Sequence, residues 1–270
     1  MNMDAIQYKK GIEANFDDVS RRYDENRFFA ISAAKMAALV PSSGSMKILD
    51  ISTGTGAVAI EIASKYEDAS IEAIDLSQGM LEIAKSKARV KCITNIAFRQ
   101  CDVEQMTYAD HTFDVVSCGY GLFFYPDMEV TYQTICKTIK PGGAFIFSSF
   151  TDAAFNPYAE CLLERLKRDC NVDPPSRIRE RLKSRPQIEA LVSTSRYNSL
   201  DVNHEPIRYP ISIDQWWSLL NSNGFKSLLD QLHPQQLDSF KQAHLEEVRG
   251  LTDGANLELN ADSLFASVTM

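Results

Sequence analysis

No stretch of the 270 residues approaches the roughly 18 consecutive apolar residues that a membrane span needs. The first ten residues contain no basic region followed by an apolar core, so no signal peptide is expected. The six cysteines (Cys92, Cys101, Cys118, Cys136, Cys161 and Cys170) form no C-x-x-C pair and fit no zinc spacing. Several sit inside apolar runs, as small buried thiols do. The expectation is a cytoplasmic protein with reduced thiols and no metal. Long Lys/Arg runs are missing too, and 28 basic against 36 acidic residues leave a net charge of -8. Nucleic-acid backbones and anionic membranes are both gripped by basic residues, so neither is expected as a partner. A small neutral or cationic ligand suits this charge better.

What is there is the composition of a folded chain, with 44% hydrophobic and 24% charged residues, enough to bury a core. Residues 1–45 carry helical periodicity up to the break Pro41-Ser42-Ser43-Gly44-Ser45. An alternating series follows. Strands are expected at 47–51, 70–75, 96–100, 113–118 and 144–150, and helices at 57–66, 78–89 (with Ser77 as N-cap) and 128–139. The last helix is closed by Lys140-Pro141-Gly142-Gly143. Nearly continuous apolar runs such as Ala144 to Phe150 belong to parallel strands buried on both faces. Strand–helix alternation predicts a doubly wound α/β sheet. Beyond it, 154–195 is expected to be mostly helical, 198–209 a strand, 213–249 helical and 263–269 a last strand. Residues 211–250 interrupt the strand rhythm as a helical insertion.

The most informative stretch is Ile48-Leu49-Asp50-Ile51-Ser52-Thr53-Gly54-Thr55-Gly56-Ala57-Val58-Ala59, a strand running through a Gly-bearing turn into a helix. Gly54-x-Gly56-x-x-Ala59, with Asp75 further on, also matches a dinucleotide fingerprint. Asp50 separates the two readings. A carboxylate beside the turn repels a pyrophosphate but suits a cationic ligand.

Further motifs follow in order: Ile74-Asp75-Leu76-Ser77 with Met80-Leu81, Cys101-Asp102-Val103, Phe113-Asp114-Val115-Val116, and Lys140-Pro141-Gly142-Gly143. Together they resemble the class I S-adenosylmethionine-dependent methyltransferases, with similarity to the ubiquinone/menaquinone-biosynthesis C-methyltransferases. The resemblance is strong over about 12–150. It implies a Rossmann-like α/β fold of seven mostly parallel strands with the last antiparallel. It also implies one domain over 1–270: an N-terminal helical lid at 1–45, a cofactor-binding core at 46–150, and an acceptor-side half at 151–270 with the insertion at about 211–250.

The resemblance also implies roles. Ser52, Thr53, Gly54 and Gly56 would form the turn at the methionine end of S-adenosylmethionine, and Asp50 would help hold its ammonium. Asp75 would take the ribose hydroxyls, and Leu76 and Met80 would line the adenine pocket. Asp102 and the Val103 N–H would meet the adenine edge. Cys118, Gly119 and Tyr120 would lie beside the reacting methyl, with Tyr23 on the lid. Ser52 stands where the family usually has its first glycine; as a small residue it should preserve the turn. Asp114 is expected to position structure only.

For the acceptor, Tyr120, Phe123, Phe124 and Tyr125 follow the fourth strand, Trp216 opens the insertion, and Phe28 sits in the lid. Such aromatic walls suit a planar or apolar molecule such as a phenol, quinol or polyketide. Methyl transfer depends on positioning more than on bond polarisation, so a base is needed only for an acceptor that must lose a proton. His204 and Tyr120 are the candidates. His111, His233 and His244 are expected at a turn, a helix break and a surface. The cluster Arg177, Arg179, Arg181, Lys183 and Arg185 is either a solvated helix face or a docking patch for an acidic group such as a carrier-protein phosphate. A homodimer stays open. The expected activity is methylation of a small metabolite at carbon or oxygen, with S-adenosylhomocysteine as product. The competing reading is a protein that keeps the cofactor without transferring methyl, as a regulator or as a cyclase or rearrangement catalyst on this fold.

Overall fold

The computed structural model describes residues 3–41, 44–172, 181–252 and 256–270. Its elements in chain order are α1 (Met3–Val19), α2 (Arg27–Leu39), β1 (Lys47–Ile51), α3 (Ala57–Lys65), β2 (Ser70–Asp75), α4 (Gln78–Val90), β3 (Ile96–Gln100), β4 (Phe113–Gly119), α5 (Met128–Thr138) and β5 (Ile139–Phe150). Then come α6 (Tyr158–Cys170), α7 (Arg185–Val192), β6 (Ser199–Glu205), β7 (Arg208–Ser212), α8 (Ile213–Leu220), α9 (Lys226–Leu229), α10 (Pro234–Gly250), β8 (Asn256–Asn260) and β9 (Ser263–Thr269).

Seven strands form one sheet in the order β3-β2-β1-β4-β5-β9-β6. β1 through β5 pair in parallel, and β9 runs antiparallel between β5 and β6. This is the Rossmann-like class I arrangement. The apolar runs are buried as parallel central strands require: Ile48, Leu49 and Ile51 of β1 and Phe145, Ile146 and Phe147 of β5 are all sealed from solvent. The order reverses between β1 and β4, and the crevice beyond their carboxyl ends is where such sheets bind ligands. No described helix is long and apolar enough to cross a membrane.

Three expectations need correction. The strand expected over 198–209 is two strands in different sheets. β6 ends at Glu205, and β7 pairs antiparallel with β8 in a separate two-stranded sheet. The residues 140–143 do not simply end a helix; β5 already begins at Ile139, and its register against β4 shifts between Phe113 and Val115. There Asp114 accepts from the Lys47 backbone N–H at 2.8 Å and from Lys140 Nζ at 2.8 Å, tying three elements together. His244 is not on the surface. It is fully buried on α10 with its Nε2 accepting from Trp216 Nε1 at 2.9 Å, and burial pushes its pKa down to about 4.

Candidate functional site

β1 delivers the chain into a turn in which Ser52 (φ 50°), Gly54 (φ 56°) and Gly56 (φ 78°) all adopt left-handed backbone before α3 starts. Ser52 therefore takes the conformation a glycine would favour, against the usual cost of a side chain there. Space for that side chain comes from Gly121, where a Cβ would sit 2.6 Å from Ser52 Cβ. The Ser52 hydroxyl is held by the Tyr125 hydroxyl at 2.8 Å. Gly56 lets α3 approach α4, since a Cβ there would meet Ala84 Cβ at 2.9 Å.

Three carboxylates lie around this turn with different hydrogen-bond partners. Asp50 is buried and accepts from Ser117 Oγ and Thr53 Oγ1, each at 2.6 Å. Burial, partly offset by those bonds, pushes its pKa up to about 6. Asp75, at the end of β2, accepts from the Gly54 N–H at 2.7 Å and the Ser77 N–H at 2.9 Å, and burial likewise pushes its pKa up to about 6. Asp102 caps the short 3-10 turn Val103–Gln105 through the Glu104 N–H at 3.0 Å, and its other oxygen accepts from Lys9 Nζ at 2.6 Å. Lys9 pairs with Glu104 as well.

A narrow cleft of about 90 Å³ lies over the turn. Ser52, Gly54, Asp75, Leu76, Met80 and Val103 line its inner wall, with Asp102 at one end. Tyr8, Lys9, Ile12 and Phe16 of α1 close its outer side. Beside it is a much larger cavity of about 960 Å³. Tyr23, Tyr120 and Phe124 line both spaces, so the two adjoin. Phe28, Phe123 and Phe150 make the cavity aromatic. Asn223, Gly224, Phe225 and Leu228, around α9, close it from the insertion side.

The expected cofactor residues fall into two groups. Ser52, Gly54, Asp75, Leu76, Met80, Asp102, Val103, Gly119 and Tyr23 line the cleft. Asp50, Thr53, Gly56 and Cys118 stand behind it; Asp50 acts on the cleft through its charge and through Thr53, not by lining it. The chemistry of the cleft residues suits an adenosine bearing a cationic sulfur: a half-buried carboxylate at Asp75, apolar walls, an acid at the far end, and a buried acid, Asp50, behind the turn.

Among the acceptor residues, Phe28, Tyr120, Phe123 and Phe124 line the cavity, while Tyr125 lines the cleft. Trp216 is fully buried away from both, packed on Tyr158 and bonded to His244, so it is core and not wall. His204 also lies elsewhere. Its side chain is 55% exposed on the edge strand β6, 3.7 Å from Asp262, and it lines neither space. Tyr120 reaches the right place, but its hydroxyl is engaged by Ser32 Oγ at 2.5 Å and Ser263 Oγ at 2.7 Å, and burial pushes its pKa up to about 12. A phenol so held orients the ring and does not serve as a base.

Of the basic cluster, Arg177 and Arg179 lie outside the described residues. Arg181 donates to the backbone carbonyls of Tyr125 (2.6 Å) and Pro126 (3.3 Å), Lys183 pairs with Asp152 at 3.2 Å, and Arg185 with Glu189 at 2.8 Å. The three described members thus each bond to the chain itself. Sequence reasoning missed Tyr8, Lys9, Ile12 and Phe150, and it named Arg181 only as a member of the basic cluster, not as a cavity residue. The stripe Tyr8-x-x-x-Ile12-x-x-x-Phe16, spaced by four, was the available signal for the first of these.

The methyltransferase domain family matches residues 42–217. A demethylmenaquinone methyltransferase of Chlorobaculum parvum is 33% identical over 50% of this chain and 58% of its own. A ubiquinone/menaquinone biosynthesis C-methyltransferase of Desulfotalea psychrophila is 30% identical over 54% of this chain and 61% of its own. The chain thus spans under two thirds of the length of these curated relatives. Among solved structures, the YcgJ protein of Bacillus subtilis superposes with a TM-score of 0.59 at 21% identity, covering 88% of this chain and 97% of that one.

Proposed function

The chain belongs to the methyltransferase domain family, and on that footing we propose that it transfers the methyl group of S-adenosylmethionine to a small aromatic or apolar acceptor, at carbon or oxygen. The observation that carries this reading is the junction of the two spaces. The cleft under Asp75 adjoins an aromatic cavity large enough for a metabolite, with Tyr120 and Phe124 on their common boundary. The names of the curated relatives favour a quinol-type acceptor.

When bound, S-adenosylmethionine supplies an electrophilic methyl whose sulfur leaves as a neutral thioether. The chain's own contribution is then alignment and exclusion of water. Asp75 would accept from the ribose diol, Leu76, Met80 and Val103 would sandwich the adenine, and Asp102 would accept from its amino group. Asp50 and Asp75 add negative potential beneath a cationic ligand. Phe28, Phe123 and Phe150 would hold the acceptor against the boundary, leaving its nucleophilic atom one line of approach.

Calorimetry with S-adenosylhomocysteine tests the cofactor half. Asp75→Ala is expected to weaken binding about tenfold or more, the worth of a charge-assisted pair of hydrogen bonds. No affinity in the parent protein, or an unchanged affinity in the variant, would sink the proposal. Release of S-adenosylhomocysteine across a panel of phenols and quinols tests the transfer half; binding without release would favour the non-methylating reading.

A further inference from the structure

Four charged side chains line the large cavity: Arg181, Lys183, Asp152 and Glu160. Three are partnered by side chains. Lys183 pairs with Asp152 at 3.2 Å, and Glu160 accepts from Asn156 Nδ2 at 3.1 Å. Arg181 differs. Among the described residues it has no carboxylate partner; it donates only to the carbonyls of Tyr125 and Pro126, in the loop that also lines the cofactor cleft. A guanidinium has five N–H donors, so those two carbonyls leave others uncommitted. The next residue explains the placement. Leu182 is buried in the core beneath β4 and β5 and held at φ 56°, an uncommon angle for a branched side chain. The fold accepts that backbone and thereby fixes Arg181 at the place where cavity and cleft meet.

A second observation points the same way. Five side-chain oxygens are buried without a hydrogen-bond partner among the described residues, and three of them, on Tyr8, Asn15 and Thr151, belong to residues of this cavity's lining. Of these, the Tyr8 and Thr151 hydroxyls can donate to an anionic oxygen, whereas Asn15 Oδ1 can only accept. Tyr8 also feels Arg181 electrostatically: its pKa, pushed up to about 12 by burial, is drawn back by that cation.

We infer that the cavity selects an acceptor with an anionic oxygen on an aromatic or enolic frame, a phenolate or enolate, with Arg181 binding that oxygen and Tyr8 supplying a second donor. This deepens the reading of the cavity as the acceptor site and rests on it. It requires no basic side chain in the cavity to start the transfer. An acceptor that arrives as its anion already holds the electron pair that forms the new bond, while the electrons of the broken carbon–sulfur bond leave with the thioether; the guanidinium compensates the oxygen's charge until transfer, and where carbon is methylated its proton is lost to water afterwards.

Two fluorescent probes of nearly equal size separate charge from apolar fit: 8-anilino-1-naphthalenesulfonate and uncharged N-phenyl-1-naphthylamine. The full chain is expected to bind the sulfonate about tenfold tighter than the neutral probe. Arg181→Gln should bring the two within about twofold, chiefly by weakening the sulfonate, while Arg181→Lys keeps the preference; this pair guards against a simple folding defect. Gly224→Trp localises the effect, because a Cβ there would meet only the Phe124 ring, at 3.8 Å, and the indole would narrow the cavity; both probes should be weakened. Equal affinities in the parent chain, an Arg181→Gln variant that keeps the preference, or sulfonate binding unchanged in Gly224→Trp would each overturn the inference. Calorimetry with S-adenosylhomocysteine runs beside these measurements. Its failure with the probe preference intact would remove the methyltransferase reading while leaving an anion-selective cavity.

Discussion

Asp50 is the acid of this region on which burial acts most directly. Its carboxyl is sealed from solvent and its pKa rises from 3.8 to about 6 because burial disfavours the charge. The folded pKa exceeds the unfolded one, so its stabilising contribution is complete below about pH 4 and is lost as pH climbs to about 6. Asp50→Asn removes this dependence. In thermal melts from pH 4 to 7, the stability of the variant relative to the parent should grow up to about pH 6 and then level off, by on the order of 3 kcal/mol. A pH-independent difference would show that the carboxyl is not strained by burial. Much of the site was legible at this level. Asp75, Leu76, Met80 and Val103 were placed by motif order, and backbone geometry puts them in one cleft. His204, Trp216 and His244 were not, because an aromatic or a histidine on an amphipathic element looks the same whether it faces a cavity, a core or water. For His244 a signal existed: Phe240, His244 and Val248 recur every fourth residue and all three are buried.

Helix α1 is the element on which access to the cleft turns. Asp17 fastens its C-terminal end by accepting from Ser77 Oγ at 2.5 Å and from the Gly79 N–H at 2.9 Å, at the start of α4. Its middle is held by Lys9 on Asp102 and Glu104, with both ends of these pairs mostly shielded. Lys9 thus occupies an acid assigned to the adenine amino group, and the remaining cleft, about 90 Å³, is far below the several hundred Å³ of an ordinary ligand pocket. For S-adenosylmethionine to enter this cleft as proposed, α1 would have to lift. Lys9→Met should speed amide exchange of residues 5–16 about tenfold while the exchange of β1 and β4 stays unchanged. Unchanged exchange in α1 would show that Lys9 does not hold it. The strands β1 to β5 were readable because buried parallel strands are written as apolar runs. β7 and β8 were not, since Arg208-Tyr209-Pro210-Ile211-Ser212 contains a proline and its partner lies 44 or more positions on, at Asn256–Asn260.

Across the whole molecule, the helical insertion at 211–250 is mostly a second part of the core. Trp216, Phe240, Leu245 and Val248 belong to the same buried cluster as Ile48, Val115 and Ile146 of the sheet. Trp216→Ala should therefore cost about 3–5 kcal/mol and lower a single cooperative melt, measured by calorimetry with circular dichroism. A separate low-temperature transition would mean that the insertion folds by itself. Only the turn around α9 reaches the cavity, and it does so next to the joint between α1 and α2. Asn26 Nδ2 donates to Ser222 Oγ at 3.1 Å, and Arg22 donates to Ser218 Oγ at 2.6 Å. The joint between the two N-terminal helices is thus stitched to the turn that closes the cavity, so one anchorage serves a wall of each space.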